Sequence, residues 1–158
     1  MTRKEFEKQV VATQGDLRRF LVALCCGDVA LADDLAQDSY VKAYLSLNTL
    51  QSDTSFKPFL YRIAYNTFIS SRRTLRLQQP IDETFSISSD ENADSGFQYQ
   101  AVYQALRRLS ATERTTVAMY YLEGYAVKEI AVLTDTGEDA VRQQLSRGRK
   151  HLKDLMKK

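Results

Sequence analysis

Gln143, Ser146, Arg147 and Lys150 fall on one side of any helix drawn through them, because about 100° per residue brings positions three, four and seven apart together. Together they offer an amide, a hydroxyl, a guanidinium and an ammonium. Such groups can bond base edges and phosphates, and none of them forms a nucleophile–base pair. Arg142 and Arg149 flank that side, and Ala140, Val141, Leu145, Gly148 and Leu152 make the opposite, apolar stripe. Just upstream, Val127, Ile130, Ala131 and Leu133 or Thr134 give a shorter helix an apolar face. Thr134-Asp135-Thr136-Gly137 breaks the pattern: Asp and Thr can cap a new helix, and Gly137 is expected to take the unusual dihedrals of the turn. Glu138 and Asp139 follow, where negative charge favours a helix start. Two helices, a tight turn and a basic, amide-rich outer face form a helix-turn-helix suited to duplex DNA. A basic helix face also serves simply as a solvated surface, so this stretch alone leaves both readings open.

A second pattern lies over Phe56 to about Leu75. It interleaves Phe56, Phe59, Tyr61, Tyr65 and Phe68 with Lys57, Arg62, Asn66, Ser70, Ser71, Arg72, Arg73 and Arg76, while Leu60, Ile63 and Ala64 suit a core. Unpaired bases stack on rings while Arg holds phosphates, so the mixture fits separated strands. Rings can equally pack inward, and Phe59 and Phe68 are read that way. Ser70, Arg72 and Arg73 are read as phosphate contacts. Pro58 lies in the first turn, where its missing N–H costs nothing.

The remaining elements support these two. Phe6, Val10, Leu17, Phe20, Leu21 and Leu24 predict a first helix pair or one helix interrupted at Gly15-Asp16, and Gly27-Asp28 a turn. A helix follows over about Ala30–Leu47, then a polar loop over Leu47–Ser55 whose last residues can cap the next helix. Residues 77–97 are acidic and rich in Ser, Asn, Asp and Glu, and are read as a flexible linker in which Phe85 and Ile87 could anchor to a partner. The second module opens near Phe97 with the stripe Val102, Leu106 and Leu109. A Ser110–Glu113 capping box starts a helix through Val117, Met119, Tyr120, Tyr121 and Leu122 that is expected to face inward, and Glu123-Gly124-Tyr125 ends it. No segment reads as a strand. The expected fold is all-α: two small helical domains joined by a flexible linker, the second a helix-turn-helix.

Net charge is +2, but residues 1–76 sum to +3, residues 77–97 to −5 and residues 98–158 to +4. Each basic block can approach phosphates, and neither is basic enough for tight nonspecific binding by itself. Cys25 and Cys26 have no metal-ligand spacing with His151, the sole histidine, and read as buried free thiols. No metal, cofactor or catalytic residue is expected. With no apolar run near the ~20 residues that span a bilayer, the chain reads as soluble and cytoplasmic.

Four segments now align in order with one family. Gly27-Asp28 with the run Ala32–Ala43, Phe56-Lys57-Pro58-Phe59-Leu60-Tyr61-Arg62-Ile63-Ala64-Tyr65-Asn66, Leu109-Ser110-Ala111-Thr112-Glu113-Arg114 with Tyr121-Leu122-Glu123-Gly124-Tyr125, and Glu129-Ile130-Ala131 with Leu145-Ser146-Arg147-Gly148-Arg149 resemble bacterial sigma factors of the extracytoplasmic-function type, group IV of the sigma-70 family. The resemblance implies region 2 over residues 1–76, a linker over 77–97 and region 4 over 98–158. It further implies that Asp34, Leu35, Gln37, Asp38 and Val41 meet the beta-prime clamp helices of core RNA polymerase. Arg62, Tyr65, Asn66, Ser70, Arg72 and Arg73, with the Leu47–Ser55 loop, would capture the unpaired −10 strand. Glu138, Asp139, Arg142, Gln143, Ser146, Arg147 and Lys150 would lie at the −35 element. Implied partners are core polymerase, through clamp helices and beta flap, promoter DNA and an anti-sigma factor, without membrane insertion. Phe59 stands where the family often has Trp, Tyr65 where a basic residue is common, and Asp135 and Gly137 replace a turn Gly and a capping Ser. The acidic start of the last helix suits cytosine amino groups better than phosphates.

The rival is a dimeric helix-turn-helix regulator acting without polymerase. It accounts for residues 98–158 and leaves the Asp33–Lys42 and Phe56–Arg76 helices without work. A helical adaptor binding only protein predicts no DNA retardation.

Overall fold

The computed structural model describes residues 1–50, 55–78 and 93–156 of the 158. Among them are seven α-helices and no strand: α1 (Arg3–Leu24), α2 (Val29–Leu45), α3 (Phe56–Gln78), α4 (Ala93–Arg107), α5 (Ala111–Tyr121), α6 (Val127–Thr134) and α7 (Glu138–Met156). A 3-10 turn, Leu47–Thr49, follows α2. The loop residues 51–54 and most of the expected linker, residues 79–92 with Phe85 and Ile87, lie outside the described residues.

Local chemistry sets the starts of α1, α2 and α5. Thr2 and Glu5 form a reciprocal capping box on α1, and Ser110 and Glu113 form the expected one on α5. The Asp28 carboxylate accepts the Leu31 N–H at 3.1 Å and caps α2. Helix α1 runs unbroken through Gly15 rather than dividing there. Leu17, Phe20, Leu21 and Leu24 are all fully buried, and that continuous apolar stripe outweighs the weak propensity of one glycine. Helix α4 starts at Ala93, inside the stretch read as linker.

In the first module α2 packs on both α1 and α3. Its core combines Leu17, Phe20, Leu21 and Leu24 with Ala32, Leu35 and Ala43 and with Phe56, Leu60, Tyr61, Ala64 and Phe68. Polar ties register the helices: Thr13 and Tyr40 share a 2.8 Å hydrogen bond, and Lys42 Nζ donates to Thr67 Oγ1 at 3.2 Å. In the second module α7 packs on α4, α5 and α6, over Leu106, Leu109, Val117, Ala118, Met119, Ile130, Leu133, Val141 and Leu145. Val117 and Met119 face inward as expected. Tyr120, Tyr121 and Leu122 do not; they are exposed, because α5 ends there and its last turn overhangs the core.

The modules also touch. α1 packs on α5, and α3 packs on α6. Arg114 reaches from α5 to the Leu24 carbonyl at the end of α1, at 2.8 Å. The Tyr61 and Tyr125 rings meet edge to face at 5.8 Å. Gly27, at φ +93°, lies against the Tyr103 ring so closely that a Cβ there would come within 3.0 Å of it.

Gly148 is the closest approach within the second module. A Cβ at this position would lie 2.7 Å from Val117 Cγ2, and the branched valine cannot swing away freely. Gly148→Val should therefore destabilise the protein by about 1–3 kcal/mol through overpacking. An unchanged urea midpoint would show that α5 and α7 separate more easily than this contact implies.

Candidate nucleic-acid interfaces

Helix α7 exists as an amphipathic element because its stripe has a partner. Val141, Leu145 and Gly148 are buried, and Leu152 and Ala140 are half-buried. Gln144, at the edge of this face, accepts a 2.6 Å hydrogen bond from the Thr116 hydroxyl and pins α7 to α5. The opposite side is free: Glu138, Asp139, Arg142, Gln143, Ser146, Arg147 and Lys150 are all exposed on one side of the helix. The structure thus brings the seven predicted residues together.

The turn ahead of α7 is built differently from expectation. Asp135, at φ +56°, takes the left-handed position that ends α6, while Gly137 does not have positive φ. Aspartate tolerates this conformation better than most residues because its short side chain bonds locally. The Thr134 and Thr136 hydroxyls close the turn at 2.9 Å.

Arg142 is not a free cation. It donates to Asp139 at 2.9 Å and to Glu138 at 3.2 Å. Two carboxylates around one guanidinium leave the first turn of α7 with net negative charge. Cationic reach shifts toward Arg147 and Lys150, one and two turns later. The sequence contained this pairing, since the residues stand three and four apart.

Helix α3 divides its aromatic residues. Phe56, Tyr61 and Phe68 are buried, Phe59 and Tyr65 are half-buried. Tyr61, at 0% exposure, packs on Phe20 at 5.0 Å and is closed to any base. The inward reading holds for Phe68, over which the Arg72 guanidinium lies at 5.8 Å. Arg62, Asn66, Ser70 and Arg73 are exposed at three- and four-residue spacing and form one polar strip, with Tyr65 and Arg72 at its edge. On α2, Asp34, Gln37, Asp38 and Val41 are exposed, and Val41 at 58% is an apolar residue standing in solvent. Leu35 differs from expectation: at 4% exposure it belongs to the core, because its position on α2 faces α1 and α3.

Two features lay outside the sequence reading. His151 Nδ1 stands 3.5 Å from Glu113 Oε1, joining α7 to the capping box of α5. Glu123, read only as part of a helix end, is enclosed between the modules: its side chain is 3% exposed and 3.9 Å from Lys57 Nζ. Both contacts join residues far apart in the chain, for which no local pattern exists. Burial pushes the Cys25 thiol up to about 12 and also raises Cys26, in keeping with inert thiols. Among the described residues no helix is long and apolar enough to cross a membrane.

The model for Sigma-70 region 2 matches residues 10–77, and that for Sigma-70 region 4 matches residues 99–152. The chain belongs to the sigma-70 family. In this sigma-70 protein the region 2 match runs from within α1 into the last turn of α3, and the region 4 match from within α4 into α7. A probable RNA polymerase sigma factor RfaY of Xanthomonas campestris pv. campestris is 29% identical over 150 residues, covering 89% of this chain and 37% of its own length. The RNA polymerase sigma-H factor of Pseudomonas aeruginosa is 27% identical, covering 94% of this chain and 93% of its own. The ECF RNA polymerase sigma factor SigM of Bacillus subtilis is 27% identical, covering 89% and 88%. Two solved structures share the fold: the sigma factor RpoE in complex with the anti-sigma factor NepR from Bartonella quintana, with TM-score 0.79, 23% identity and 98% of both chains covered, and CnrH in complex with the cytosolic domain of CnrY, with TM-score 0.76, 20% identity and 98% and 89% covered.

Releasing Arg142 tests how far the acidic pair restrains region 4. Glu138→Gln with Asp139→Asn keeps the side-chain sizes and removes two negative charges. Duplex affinity at low salt should rise, and the slope of log K against log salt should steepen by about 0.9 for each phosphate newly neutralised. A slope identical to that of the unaltered chain would mean that Arg142 never reaches the backbone.

Proposed function

We propose that this protein is a sigma subunit that binds core RNA polymerase, directs it to specific promoters and promotes strand opening at the −10 element. The observation that carries the reading is the ordered pair of region 2 and region 4 on one chain, each with an exposed polar face. The proposed organisation is region 2 over residues 1–76, a linker over 77–97 and region 4 over 98–158. Phosphodiester chemistry would stay with the polymerase; the protein itself recognises and positions, in the cytoplasm.

Each surface has a proposed task. Asp34, Gln37, Asp38 and Val41 would seat on the clamp helices of the polymerase, charge and amide around one apolar contact, while region 4 meets the beta flap. Arg62, Asn66, Ser70 and Arg73, with Tyr65 and Arg72, would hold the separated −10 strand, the cations on phosphates and the polar groups on base edges. Gln143, Ser146, Arg147 and Lys150, with Arg142 oriented by its two carboxylates, would enter the major groove at the −35 element. The sigma factor RpoE from Bartonella quintana, which shares the fold, is bound to the anti-sigma factor NepR, and this supports an anti-sigma factor as a further partner here. A helix-turn-helix regulator acting without polymerase would leave region 2 unused.

Run-off transcription with core polymerase should give start-site-specific products. Gln143→Ala should shift −35 preference by about 1–3 kcal/mol per lost base contact, read across a promoter library; equal preference would remove Gln143 from the reading set. Asp34→Ala should weaken capture of core polymerase in a pull-down while leaving helix content intact, and undiminished capture would take α2 out of that interface.

A further inference from the structure

Helix α3 carries Lys57, Arg62, Arg72, Arg73 and Arg76 and no aspartate or glutamate over its 23 residues. Lys57, at its N-terminal end, is held by Asp16 of α1 at 2.8 Å. Arg62, Arg72 and Arg73 have no carboxylate within ion-pair distance among the described residues. Other surface cations are matched: Arg3 by Glu7, Arg18 by Asp33, Arg142 by Glu138 and Asp139. The outer side of α3 is thus a basic edge to which the described chain brings no counter-charge.

A further cation reaches this edge from another helix. Lys42, near the end of α2, is exposed, and its ammonium donates to Thr67 Oγ1 on α3 at 3.2 Å. Thr67 is 3% exposed, and its hydroxyl hydrogen goes to the Ile63 carbonyl at 2.8 Å, so toward Lys42 its oxygen only accepts. A buried, β-branched side chain with its proton committed is a fixed mount. It takes one of the three ammonium donors and leaves the others to solvent. At about 100° per residue, Thr67 lies on one flank of Asn66 and Arg72 about 120° away on the other. Arg72 is fixed too, over the Phe68 ring at 5.8 Å. The polar strip Arg62, Asn66, Ser70 and Arg73 therefore runs between two cations, each seated on a buried side chain.

A tie between helices does not need this arrangement. An amide at position 42 would bond Thr67 as well and would bring no charge toward Arg62 and Arg73. Asp38 stands one turn before Lys42, where an ion pair is the ordinary outcome, yet the ammonium lies on the Thr67 hydroxyl instead. Like charges gathered in this way repel, and an anion between them lowers their energy.

We propose that Lys42 is a phosphate-binding residue for a single DNA strand lying across α3, held in place by Thr67, with Arg72 taking the strand on the opposite flank. That this strand is the opened −10 segment rests on the sigma reading; the paired cations do not. An ammonium suits a phosphate better than a base edge, because it is a compact point charge with donors only. Asn66 and Ser70, between the cations, are left to face the bases. Val41 and Lys42 are neighbours on α2, so a polymerase seated on Asp34, Gln37, Asp38 and Val41 steadies the lysine beside them. Thr67 is a positioning residue: it touches the lysine and not the strand.

The test uses the full chain bound to core polymerase and a fluorescent single-stranded DNA oligonucleotide, with anisotropy read from about 50 to 200 mM salt. Lys42→Met keeps the apolar stem and the helix. Strand affinity at low salt should fall several-fold, and the slope of log K against log salt should become shallower by about 0.7, the value for one phosphate on a single strand. Lys42→Arg should restore the slope. Thr67→Val should weaken strand binding with the slope unchanged, because the charge remains but has lost its mount; affinity equal to the unaltered chain would remove Thr67 from the arrangement. Duplex binding by α7 and helix content by circular dichroism should be the same in every form. A Lys42→Met slope equal to that of the unaltered chain would overturn the phosphate contact and leave a helix tie, and failure of the unaltered protein to bind the strand would overturn it as well. No start-site-specific transcript from any form, with the slope response intact, would reject the sigma reading and leave the contact standing.

Discussion

A single guanidinium ties the ends of three helices. Arg114 donates from Nε to the Leu106 carbonyl at 2.8 Å, from Nη2 to the Arg107 and Leu109 carbonyls at 3.2 Å, and from Nη1 to Leu24. No carboxylate accompanies it among these bonds. The compensating negative potential comes from helix C-termini, whose last carbonyls lack intrahelical partners. Burial still pulls its pKa below the ordinary value. Placing one cation at the ends of α1 and α4 satisfies orphan acceptors on both modules at once, so the α4–α5 corner and the module interface share one support. This couples the stability of region 4 to its docking on region 2.

The same economy governs the surfaces. In α3 the first task of most aromatic rings is packing: Phe56 meets Phe6 and Phe59, Tyr61 meets Phe20, and Phe68 lies under Arg72. What remains for a partner is a polar strip backed by rings that cannot rotate away. In α7 the close approach at Gly148 and the Thr116–Gln144 bond hold the helix on its inner side, leaving a straight outer row of polar groups. The side chains behind both faces are packed or hydrogen-bonded, and a face supported from behind costs less to order when a partner binds.

Charge is distributed with restraint. Arg142 is held by Glu138 and Asp139, and Arg18 by Asp33 at 3.1 Å, so several cations of a mildly basic chain are already neutralised. Region 4 therefore presents Arg147 and Lys150 as the exposed cations on the outer side of α7 that no carboxylate holds among the described residues. Specificity from base edges then weighs more against nonspecific attraction, in keeping with a chain that engages DNA together with a larger partner.

The sequence by itself determined the helices, their inward stripes, the capping boxes at Ser110 and the exposed rows on α3 and α7, because these depend on neighbours within about one turn. Motif order was legible too, and so was the family. Local pattern could not determine that Gly15 would stay helical, since the decision belonged to the buried stripe around it. Nor could it show that Asp135 rather than Gly137 takes the left-handed turn, or that Tyr120, Tyr121 and Leu122 overhang the core. Above all, the sequence shows Glu123 only as part of a helix end and Arg114 only as part of a motif, and their enclosure appears when the second module is laid against the first. Their roles arise from contacts across 66 residues between Lys57 and Glu123 and 90 between Leu24 and Arg114. Only tertiary packing removes those side chains from water, and removal from water is what makes one a staple and the other an enclosed, poorly paired carboxyl.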